Sequence, residues 1–496
     1  MQNSFIKLIK QRVKMSTFKY EPPVNREMRT LEKSFFIQKI PLCVVRFPDP
    51  KNISVFSKQF KQYILRVPRI PHVIKLRQLQ DVDPSSESKT LACDNGIVEK
   101  GVLLTDSLNH VDEINERLSP EALIFLKETN ADVLPYEYVL DYDFWKAEEI
   151  LRAVLPKEYL DEIPTGFTIT GHIAHLNLRN EFKPYDSLIG QVILDKNNKI
   201  ETVVDKVSSI ATKFRTFPMK IIAGKNDLIV EQKESNCTFK FDFSKVYWNS
   251  RLHTEHDRLV TKYFKTGEVV CDVFAGVGPF AVPAGKKEVI VLANDLNPES
   301  FKYLQENIDN NKVGELVKPF NLDGGQFIRK SVDLLKELIE SHENGQIKLA
   351  IKKQRKRHKK NNDSEIKTAV APQPQFKIIP IPREISHFVM NLPDSAIEFL
   401  GNFVGLYSQE PQERDDRKMP WIHVHCFEKY GNDEEPSNEE LHSRVHRRIL
   451  ESMQTTEDIL PLKNLLFHLV RKVSPTKPMY CISFQLPKKL AYSERV

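Results

Sequence analysis

The residues best suited to chemistry lie in the segment EVVCDVFAGVGPFAVPA, which spans residues 268–284. Its first valines predict a buried strand, and the glycines that follow predict a tight turn. Gly276 and Gly278 would let the backbone approach a ligand where a Cβ would collide. Pro279 suits the first position of a following helix. This strand–turn–helix pattern is typical of a cleft that binds a nucleoside-containing cofactor.

Acidic residues follow this strand and the next two predicted strands. Asp272 ends the first strand, Asp295 ends VIVLAND, and Asp323 lies in NLDGG. An acid at the position of Asp295 can accept both hydroxyl groups of a ribose. Asp272 can hold a methionine moiety but would repel a pyrophosphate, and Asp323 is well placed for an adenine amino group. The set favours S-adenosyl-L-methionine over NAD, although Asp272 and Asp323 could instead cap loops.

A fourth apolar strand, HFVM, is followed by Asn391 in VMNLPDSAIEF. The proline of Asn-Leu-Pro stiffens the turn and fixes the direction of the amide. An amide both donates and accepts hydrogen bonds, so Asn391 can read a base edge beside the methyl group of the cofactor. A simple turn is the alternative interpretation, but the place after a cofactor-binding strand favours a functional role.

The elements that must position these residues form an alternating pattern. From about Val246 the chain reads as strand, glycine turn, helix, strand, helix, which is typical of a parallel α/β sheet. Residues 25–155 alternate short apolar strands with helices, and residues 163–233 have the β-branched alternation of a small α+β module. The predicted fold class is therefore α/β, with a parallel-sheet domain preceded by two smaller α+β domains.

The same pattern sets the predicted domain limits. We expect an N-terminal domain over residues 25–155, a small middle domain over 156–244 and a catalytic domain over 245–496. Within the last, residues 341–375 contain the run KKQRKRHKK and few large apolar residues, so a disordered basic insertion is predicted. The run is interpreted as a solvated charge run, with a nuclear-localisation signal or an RNA contact as alternatives.

Composition limits the class of protein and its partners. The 496 residues are 40% hydrophobic and 28% charged, as in globular proteins of two or three domains. No apolar run approaches the roughly 20 residues of a membrane span, so no membrane partner is expected. A net charge of +6 permits a nucleic-acid partner without requiring one. The six cysteines form no CxxC pair, which argues against a disulfide framework or a zinc ribbon, and no metal is predicted.

The first 24 residues are basic and contain no acid before Glu21. An acid-poor, amphipathic start of this kind is typical of a mitochondrial presequence, and a disordered basic tail is the equal alternative. Together with the basic insertion, this start leads us to expect a protein distributed among the mitochondrial matrix, the cytoplasm and the nucleus.

Five segments, taken together, carry a resemblance to a known family. They are FRTFP, VYWNSRLHTEHDRL, DVFAGVGPF, NDLNP and NLPDSAIEFL. Over most of residues 160–484 the chain resembles the tRNA (guanine-N1)-methyltransferases of the archaeal and eukaryotic class. The resemblance implies a monomer that uses S-adenosyl-L-methionine and binds tRNA, not DNA, at the anticodon loop to act on guanine 37. It also implies that the parallel-sheet domain is a class I, Rossmann-like methyltransferase domain and that the two smaller domains bind RNA.

The resemblance further implies catalytic roles for three residues. Guanine N1 carries a proton at neutral pH, so a base must remove it, and Glu255 matches the residue with that role. Arg215 matches the arginine that stabilises negative charge on O6, and Asn391 matches the residue that holds the guanine edge. As alternatives, Glu255 could be an exposed helix acid and Arg215 could bind a tRNA phosphate.

Contacts to the cofactor and the base complete the predicted site. The resemblance places Tyr247 and Arg251 at the cofactor or base pocket, where they are predicted to bind substrate. For one cofactor contact, His256, ordinary packing is the alternative. The predicted cofactor-binding residues are His256, Asp272, Gly276, Gly278, Asp295, Leu296, Asp323, Gly324 and Asn391.

Two other functions fit parts of this pattern. A related enzyme of wybutosine synthesis transfers the aminocarboxypropyl group of the same cofactor, but it is expected to lack Asn-Leu-Pro at the fourth strand. A tRNA-binding protein without activity would not need Glu255, Arg215 and Asn391 together. The sequence therefore favours methyl transfer.

Overall fold

A computed structural model of the chain describes residues 20–76, 99–207, 214, 216–350, 375–410 and 417–494. Three predictions fall on residues outside these ranges, namely Arg215, the basic run 352–360 and most of the basic tail 1–24. Within the described ranges, no helix is both long enough and apolar enough to cross a membrane.

The chain divides into two compact units that alternate along the sequence. The first unit contains Met1–Gly166 and Leu178–Asn198, and the second contains Phe167–Asn177 and Lys199–Val496. All the predicted site residues within the described ranges belong to the second unit. The domain limits expected from the sequence remain predictions.

The first unit combines an antiparallel sheet with α-helices. The strands are β1 (Gln38–Arg46), β2 (Val73–Lys75), β3 (Lys100–Leu103) and β4 (Asp132–Leu140). The helices are α1 (Lys51–Gln59), α2 (Ile114–Arg117), α3 (Pro120–Glu128), α4 (Ala147–Val154) and α5 (Asp186–Asp195). The sheet order is β2-β3-β1-β4. Buried residues such as Val45, Val102 and Phe56 join this sheet and helices α1 to α3 in one apolar core.

The second unit begins with a small mixed sheet and a hairpin. The strands are β5 (Thr168–Thr170), β6 (Ile173–Leu176), β7 (Thr202–Lys206), β8 (Met219–Gly224), β9 (Ile229–Glu234) and β10 (Cys237–Asp242). Strands β5 to β8 pair in sequence order. The β9–β10 hairpin turns at Ser235 and Asn236, whose φ angles are 47° and 59°. Positive φ at both turn residues matches the twist of the flanking strands and fixes the hairpin register.

The rest of the second unit contains a seven-stranded sheet, a separate two-stranded hairpin and the helices around them. The strands are β11 (Val269–Asp272), β12 (Ile290–Asn294), β13 (Val317–Phe320), β14 (Gln346–Ala350), β15 (Phe376–Pro380), β16 (His387–Met390), β17 (Trp421–Phe427), β18 (Leu466–Ser474) and β19 (Lys477–Gln485). The helices are α6 (His253–Lys262), α7 (Ala281–Lys286), α8 (Pro298–Asn311), α9 (Gly324–Glu340), α10 (Asn438–Ser452) and α11 (Lys488–Ala491). The sheet order is β13-β12-β11-β16-β17-β19-β18.

The direction of the strands in this sheet confirms the predicted fold class. Strands β13, β12, β11, β16 and β17 are parallel, whereas β19 is antiparallel to both of its neighbours. Every residue of β11, β12 and β16 is buried. Parallel strands that are covered by helices on both faces need nearly continuous apolar runs. The sequence pattern could therefore predict these strands.

Strands β14 and β15 form a separate antiparallel hairpin rather than part of the large sheet. The sequence predicted irregular chain over residues 341–375, but Gln346–Ala350 is a strand paired with Phe376–Pro380. Ile347 faces Ile379 in the register, and both side chains are buried. These two isoleucines join the core, so the ordered chain continues further than the polar composition suggested.

Candidate functional site

The carboxyl ends of neighbouring parallel strands bring the predicted cofactor residues to one edge of the sheet. Asp272 is the last residue of β11, Asp295 follows β12, and Asn391 follows β16. Asp323 comes three residues after β13 and is the N-cap of α9. Since β11 lies between β12 and β16, Asp272 lies in the middle of this group. Ligands of open α/β sheets bind at such an edge.

Asp272 is the least satisfied polar group at this edge. It is fully buried, and neither of its carboxylate oxygens has a hydrogen-bond partner among the described residues. Burial and the nearby Asp295 carboxylate raise the pKa of Asp272 to about 8. A buried carboxyl group without a partner is costly unless a ligand supplies one. The Phe274 backbone N–H and the His425 charge lower the pKa of Asp272 and offset its burial only in part. An ammonium group of a ligand would fit this position.

The glycine turn after β11 uses its two glycines differently. Gly276 has a φ of 56°, and a Cβ added there would meet nothing within 4 Å. Gly278 has a φ of 100°, and its added Cβ would lie 2.8 Å from Val282 and 2.9 Å from Leu304. Gly276 therefore borders open space suited to a ligand, whereas Gly278 is required by the packing of the next helix.

That helix starts later than the sequence predicted. We expected Pro279 at its first position, but α7 begins at Ala281 with Phe280 as its N-cap. The two positive φ angles of the turn extend the irregular chain by two residues beyond Gly278.

Asp295 organises the loops around the turn. Its Oδ2 accepts a hydrogen bond from the Gly276 backbone N–H at 2.8 Å, and its Oδ1 accepts one from Asn297 at 2.9 Å. The neighbouring Leu296 is half-buried, and its carbonyl accepts a hydrogen bond from Asn321 at 3.1 Å. The carboxylate is thereby fixed beside the glycine turn, with lone pairs left for further donors.

Asp323 and Gly324 start helix α9. The Oδ1 atom of Asp323 accepts hydrogen bonds from the backbone N–H groups of Gly325 and Gln326, at 2.9 and 3.2 Å. The capping alternative considered for this residue therefore holds for one of its oxygens. A Cβ at Gly324 would lie 2.6 Å from Cε1 of Phe274, so the glycine is needed where the helix meets the turn after β11.

Asn391 presents a second polar atom without a partner. Its side-chain Oδ1 is buried and has no hydrogen-bond partner among the described residues. The turn that follows is held by a hydrogen bond from the Phe427 N–H to the Pro393 carbonyl at 2.9 Å. This contact ties Asn-Leu-Pro to the end of β17, and the role of the Asn391 amide remains a prediction.

His256 is held by contacts within the second unit. Its Nδ1 lies 2.6 Å from Oε1 of Glu234, and its ring packs edge-on against Phe280 with 4.8 Å between ring centroids. The packing alternative therefore describes this buried histidine, which stands directly beside the N-cap of α7. A contact to the cofactor remains a prediction.

Glu255 lies on the inner face of α6 and is only 2% exposed, so it is not an exposed helix acid. Arg258 donates to both oxygens, from Nε to Oε2 at 2.6 Å and from Nη2 to Oε1 at 2.8 Å. His425 on β17 contacts Oε1 through Nε2 at 2.8 Å. The other ring nitrogen of His425 lies 3.4 Å from the carbonyl of Met390, the residue before Asn391. The carboxylate is thus connected to the end of β16.

The partners of Glu255 determine its charge. Burial alone would raise the pKa of Glu255, but hydrogen bonds from Arg258 and His425 outweigh burial and hold that pKa well below its usual range. Burial would likewise lower the pKa of His425, but Cys481 and Glu255 raise it to about 10. The pair is therefore a carboxylate beside an imidazolium at neutral pH.

The side chains of His468 and Cys481 also lie close to Glu255 and His425. Nε2 of His468 on β18 lies 3.6 Å from Oε2 of Glu255, and its side chain is 46% exposed. Potential metal-ligating atoms of Glu255, His425 and Cys481 lie within 4.8 Å of one another. Arg258 already binds the carboxylate, and a cation beside a guanidinium is unfavourable. The absence of a metal remains a prediction.

The predicted substrate residues lie on a more open surface. Tyr247 is 45% exposed, and its hydroxyl accepts a hydrogen bond from Asn249 at 3.4 Å. Arg251 is exposed. Burial and the Arg251 charge lower the pKa of Arg471 on β18, and Tyr247 opposes them in part. Arg215 lies outside the described residues, so its role remains a prediction.

Sequence reasoning missed the partners of Glu255. Arg258 lies one helical turn after it, a spacing that allows an ion pair. His425 lies 170 residues away in the apolar strand WIHVHCF, where polar residues alternate with apolar ones. That alternation places His423 and His425 on one face of the strand. The sequence could therefore have predicted a buried polar network at this strand.

Comparisons with known proteins give a consistent result. Residues 147–227 match the family model described as the TYW2 N-terminal domain, and residues 230–335 match the TRM5/TYW2 methyltransferase domain. A tRNA (guanine(37)-N(1))-methyltransferase of Saccharomyces cerevisiae is 63% identical over 491 residues, 97% of each chain. One of Candida albicans (strain WO-1) is 50% identical over 479 residues, 96% of this chain and 99% of that protein.

A solved structure supports the fold. The structure described as the complex of aTrm5 and tRNALeu has a TM-score of 0.52 at 16% identity, covering 90% of this chain and 100% of that chain. At this level of identity the likeness concerns the fold alone.

Proposed function

Because the chain belongs to the tRNA (guanine(37)-N(1))-methyltransferase family, we propose that it transfers a methyl group from S-adenosylmethionine to N1 of guanine 37 in tRNA. This guanine lies on the 3′ side of the anticodon. The observation that carries the proposal is the pair of buried polar groups without partners, on Asp272 and Asn391, at the ends of adjacent strands. Both groups can form hydrogen bonds with polar atoms of bound molecules.

The strand-end residues would hold the cofactor. When bound, S-adenosylmethionine supplies an electrophilic methyl group on a positively charged sulfur. Asp272 would bind the ammonium group of its methionine part, because neither oxygen of this buried carboxyl group has a hydrogen-bond partner among the described residues and the His425 charge offsets its burial only in part. Asp295 and Asp323 would accept hydrogen bonds from the ribose hydroxyls and the adenine amino group through their remaining lone pairs. His256, Leu296 and Gly324 would border the same site.

Glu255 would act as the general base. N1 of guanine has no available lone pair until its proton is removed. Arg258 and His425 keep the Glu255 carboxylate ionised, so it is in the form that accepts a proton. A carboxylate stabilised this strongly retains an acquired proton poorly, so the proton must move on after each reaction.

The guanine itself would be held by three residues at the open side. Asn391 would bind the base edge through its unpartnered Oδ1. Tyr247 and Arg251 are exposed and would contact the base or its phosphate. As N1 loses its proton, negative charge collects on O6, and Arg215 would stabilise that charge.

Nucleoside mass spectrometry tests the function directly. A tRNA transcript with guanine at position 37 is incubated with the full chain and S-adenosylmethionine, then digested and analysed. We expect 1-methylguanosine, and no product from a transcript with adenine at that position. Appearance of an aminocarboxypropyl nucleoside, or of no modified nucleoside, would contradict the proposal.

The proposed base has a matched control on the same helix. Glu255→Gln should lower the single-turnover rate by about 100-fold or more, since it removes a general base. Asp257→Asn changes an exposed acid two residues away and should retain the rate. Equal rates for Glu255→Gln and the unchanged protein would show that another group removes the proton.

Three further properties belong to the proposal. We expect a monomer that binds tRNA and not DNA, distributed among the mitochondrial matrix, cytoplasm and nucleus. Light scattering of the purified chain measures the first property, and competition between tRNA and duplex DNA measures the second. Fractionation of cells that express a tagged chain measures the distribution.

A further inference from the structure

A base that is buried must lose its proton before it can act again. In the proposed reaction the proton of guanine N1 arrives on Glu255, which is 2% exposed. Bulk water therefore cannot collect that proton directly from the carboxylate. A neighbouring side chain has to transfer it to solvent.

The neighbours of Glu255 differ in their ability to accept a proton. Within the described part of the chain, Arg258, His425 and His468 have side-chain nitrogens within 4 Å of the carboxylate. The Arg258 guanidinium has no acceptor lone pair. His425 is fully buried and already protonated, since its pKa is raised by Cys481 and Glu255 against the effect of burial. Neither residue can carry the proton away.

His468 differs from the other two in both respects. Its Nε2 lies 3.6 Å from Glu255 Oε2, while 46% of its side chain is exposed. Partial burial and the nearby cations Arg258, Lys262 and His425 lower its pKa, and Glu255 opposes them only in part. The imidazole is therefore neutral at neutral pH and can accept a proton at one nitrogen and release one from the other.

We propose that His468 transfers the proton from Glu255 to solvent between reaction cycles. This inference rests on the proposed function, because it takes Glu255 as the base. The O–H bond of the Glu255 carboxylic acid breaks, and an N–H bond forms at Nε2 of His468. The Nδ1–H proton then passes to water, exchange of the ring protons with water restores the Nδ1–H tautomer of His468, and Glu255 is left ionised as at the start. No oxidant, metal or further reactant is needed.

The proposal predicts that loss of His468 affects the rate of the later reaction cycles but not the rate of the first. Glu255 is ionised before any turnover, so the first cycle needs no proton transfer to solvent. In His468→Ala the first cycle should match that of the unchanged protein. Later cycles should slow by about 100-fold, a typical effect of losing a proton-transfer group. Rapid-quench measurement with excess tRNA records both phases as a burst followed by a steady rate.

Imidazole in solution distinguishes proton transfer from a structural effect. Added imidazole can enter the space left by the ring and should restore most of the steady rate of His468→Ala. His468→Gln keeps a polar side chain of similar size but cannot transfer a proton at this position, so it should behave like His468→Ala. His442→Ala is the matched control, because His442 stacks on Phe467 next to His468, at 4.0 Å between ring centroids. It should retain both phases.

Three results would overturn the inference. They are an unchanged steady rate in His468→Ala, a first cycle that slows as much as the later ones, and a slow steady rate that imidazole leaves unchanged. Failure of the proposed function is distinguishable, since the unchanged protein would then form no 1-methylguanosine at all.

Discussion

At the scale of single residues, Asp272 links the charge state of the protein to ligand binding. Its carboxyl group has a pKa of about 8 without a ligand, because burial and Asp295 disfavour the charge. Binding of an ammonium group should ionise it, so a proton is released when S-adenosylmethionine binds between about pH 6 and 7. Affinity should therefore rise with pH over this range. Titration calorimetry in buffers of different ionisation enthalpy measures the released proton.

The raised pKa of Asp272 also makes the free energy of unfolding depend on pH. The folded pKa of Asp272 lies above its unfolded value near 3.8, so the folded state binds more protons between about pH 4 and 8. This residue therefore lowers the stability of the ligand-free protein progressively as pH rises through that range. Asp272→Asn should abolish both the proton release and this decline, with weaker cofactor binding. A proton released by Asp272→Asn would point to a different titrating group.

At the scale of elements, helix α9 contacts the turn after β11 at Phe274, two residues after Asp272. In Gly324→Ala the new Cβ would lie 2.6 Å from the Phe274 ring, which itself packs edge-on against Phe399 at 5.1 Å. Overpacking of this kind costs about 1–3 kcal/mol. We expect a lower free energy of unfolding in denaturant titrations, together with weaker cofactor binding.

A second glycine provides the control for this prediction. A Cβ at Gly314 would meet Ile308 at an ordinary 3.7 Å. Gly314→Ala should therefore leave both stability and cofactor affinity nearly unchanged. If Gly324→Ala were equally harmless, the ring of Phe274 would be free to move, and the turn would not depend on this contact.

Elements also explain what the sequence could predict. Asp272, Asp295 and Asn391 each come at or directly after a fully buried, mainly apolar strand, so local pattern was enough to place them at one edge. The network around Glu255 is different, because His425 and His468 come from strands far along the chain. Their meeting depends on the order of β17, β19 and β18 in the sheet, which no local pattern encodes.

At the scale of the whole molecule, the division of the chain follows contacts rather than sequence order. Leu178–Asn198 belongs to the first unit, although the chain on both sides of it belongs to the second. Its helix α5 buries Leu188, Ile189 and Val192 within the first unit. An amphipathic helix has the same spacing of apolar residues whichever core it packs against. The sequence placed this segment in the predicted middle domain 156–244, since its local pattern carries no information about which core receives the helix.

This division predicts where cofactor binding should stabilise the protein. The predicted cofactor residues all lie in the second unit, and a ligand that binds only the folded state stabilises that state. At about 100 times the dissociation constant, S-adenosylmethionine should stabilise this unit by about 2.7 kcal/mol. Amide hydrogen exchange that requires unfolding of the unit should slow about 100-fold in β11, β12 and β16.

Hydrogen exchange read by mass spectrometry can compare the two units in one sample. Strands β1 to β4 of the first unit should exchange at the same rate with and without S-adenosylmethionine, because none of the predicted cofactor residues lies there. In Asp272→Asn the protection of β11 should largely disappear at the same ligand concentration, since the variant lacks the carboxylate that would balance the ligand's ammonium charge. Equal protection in both units would mean that they unfold as one, and undiminished protection in Asp272→Asn would place the cofactor elsewhere.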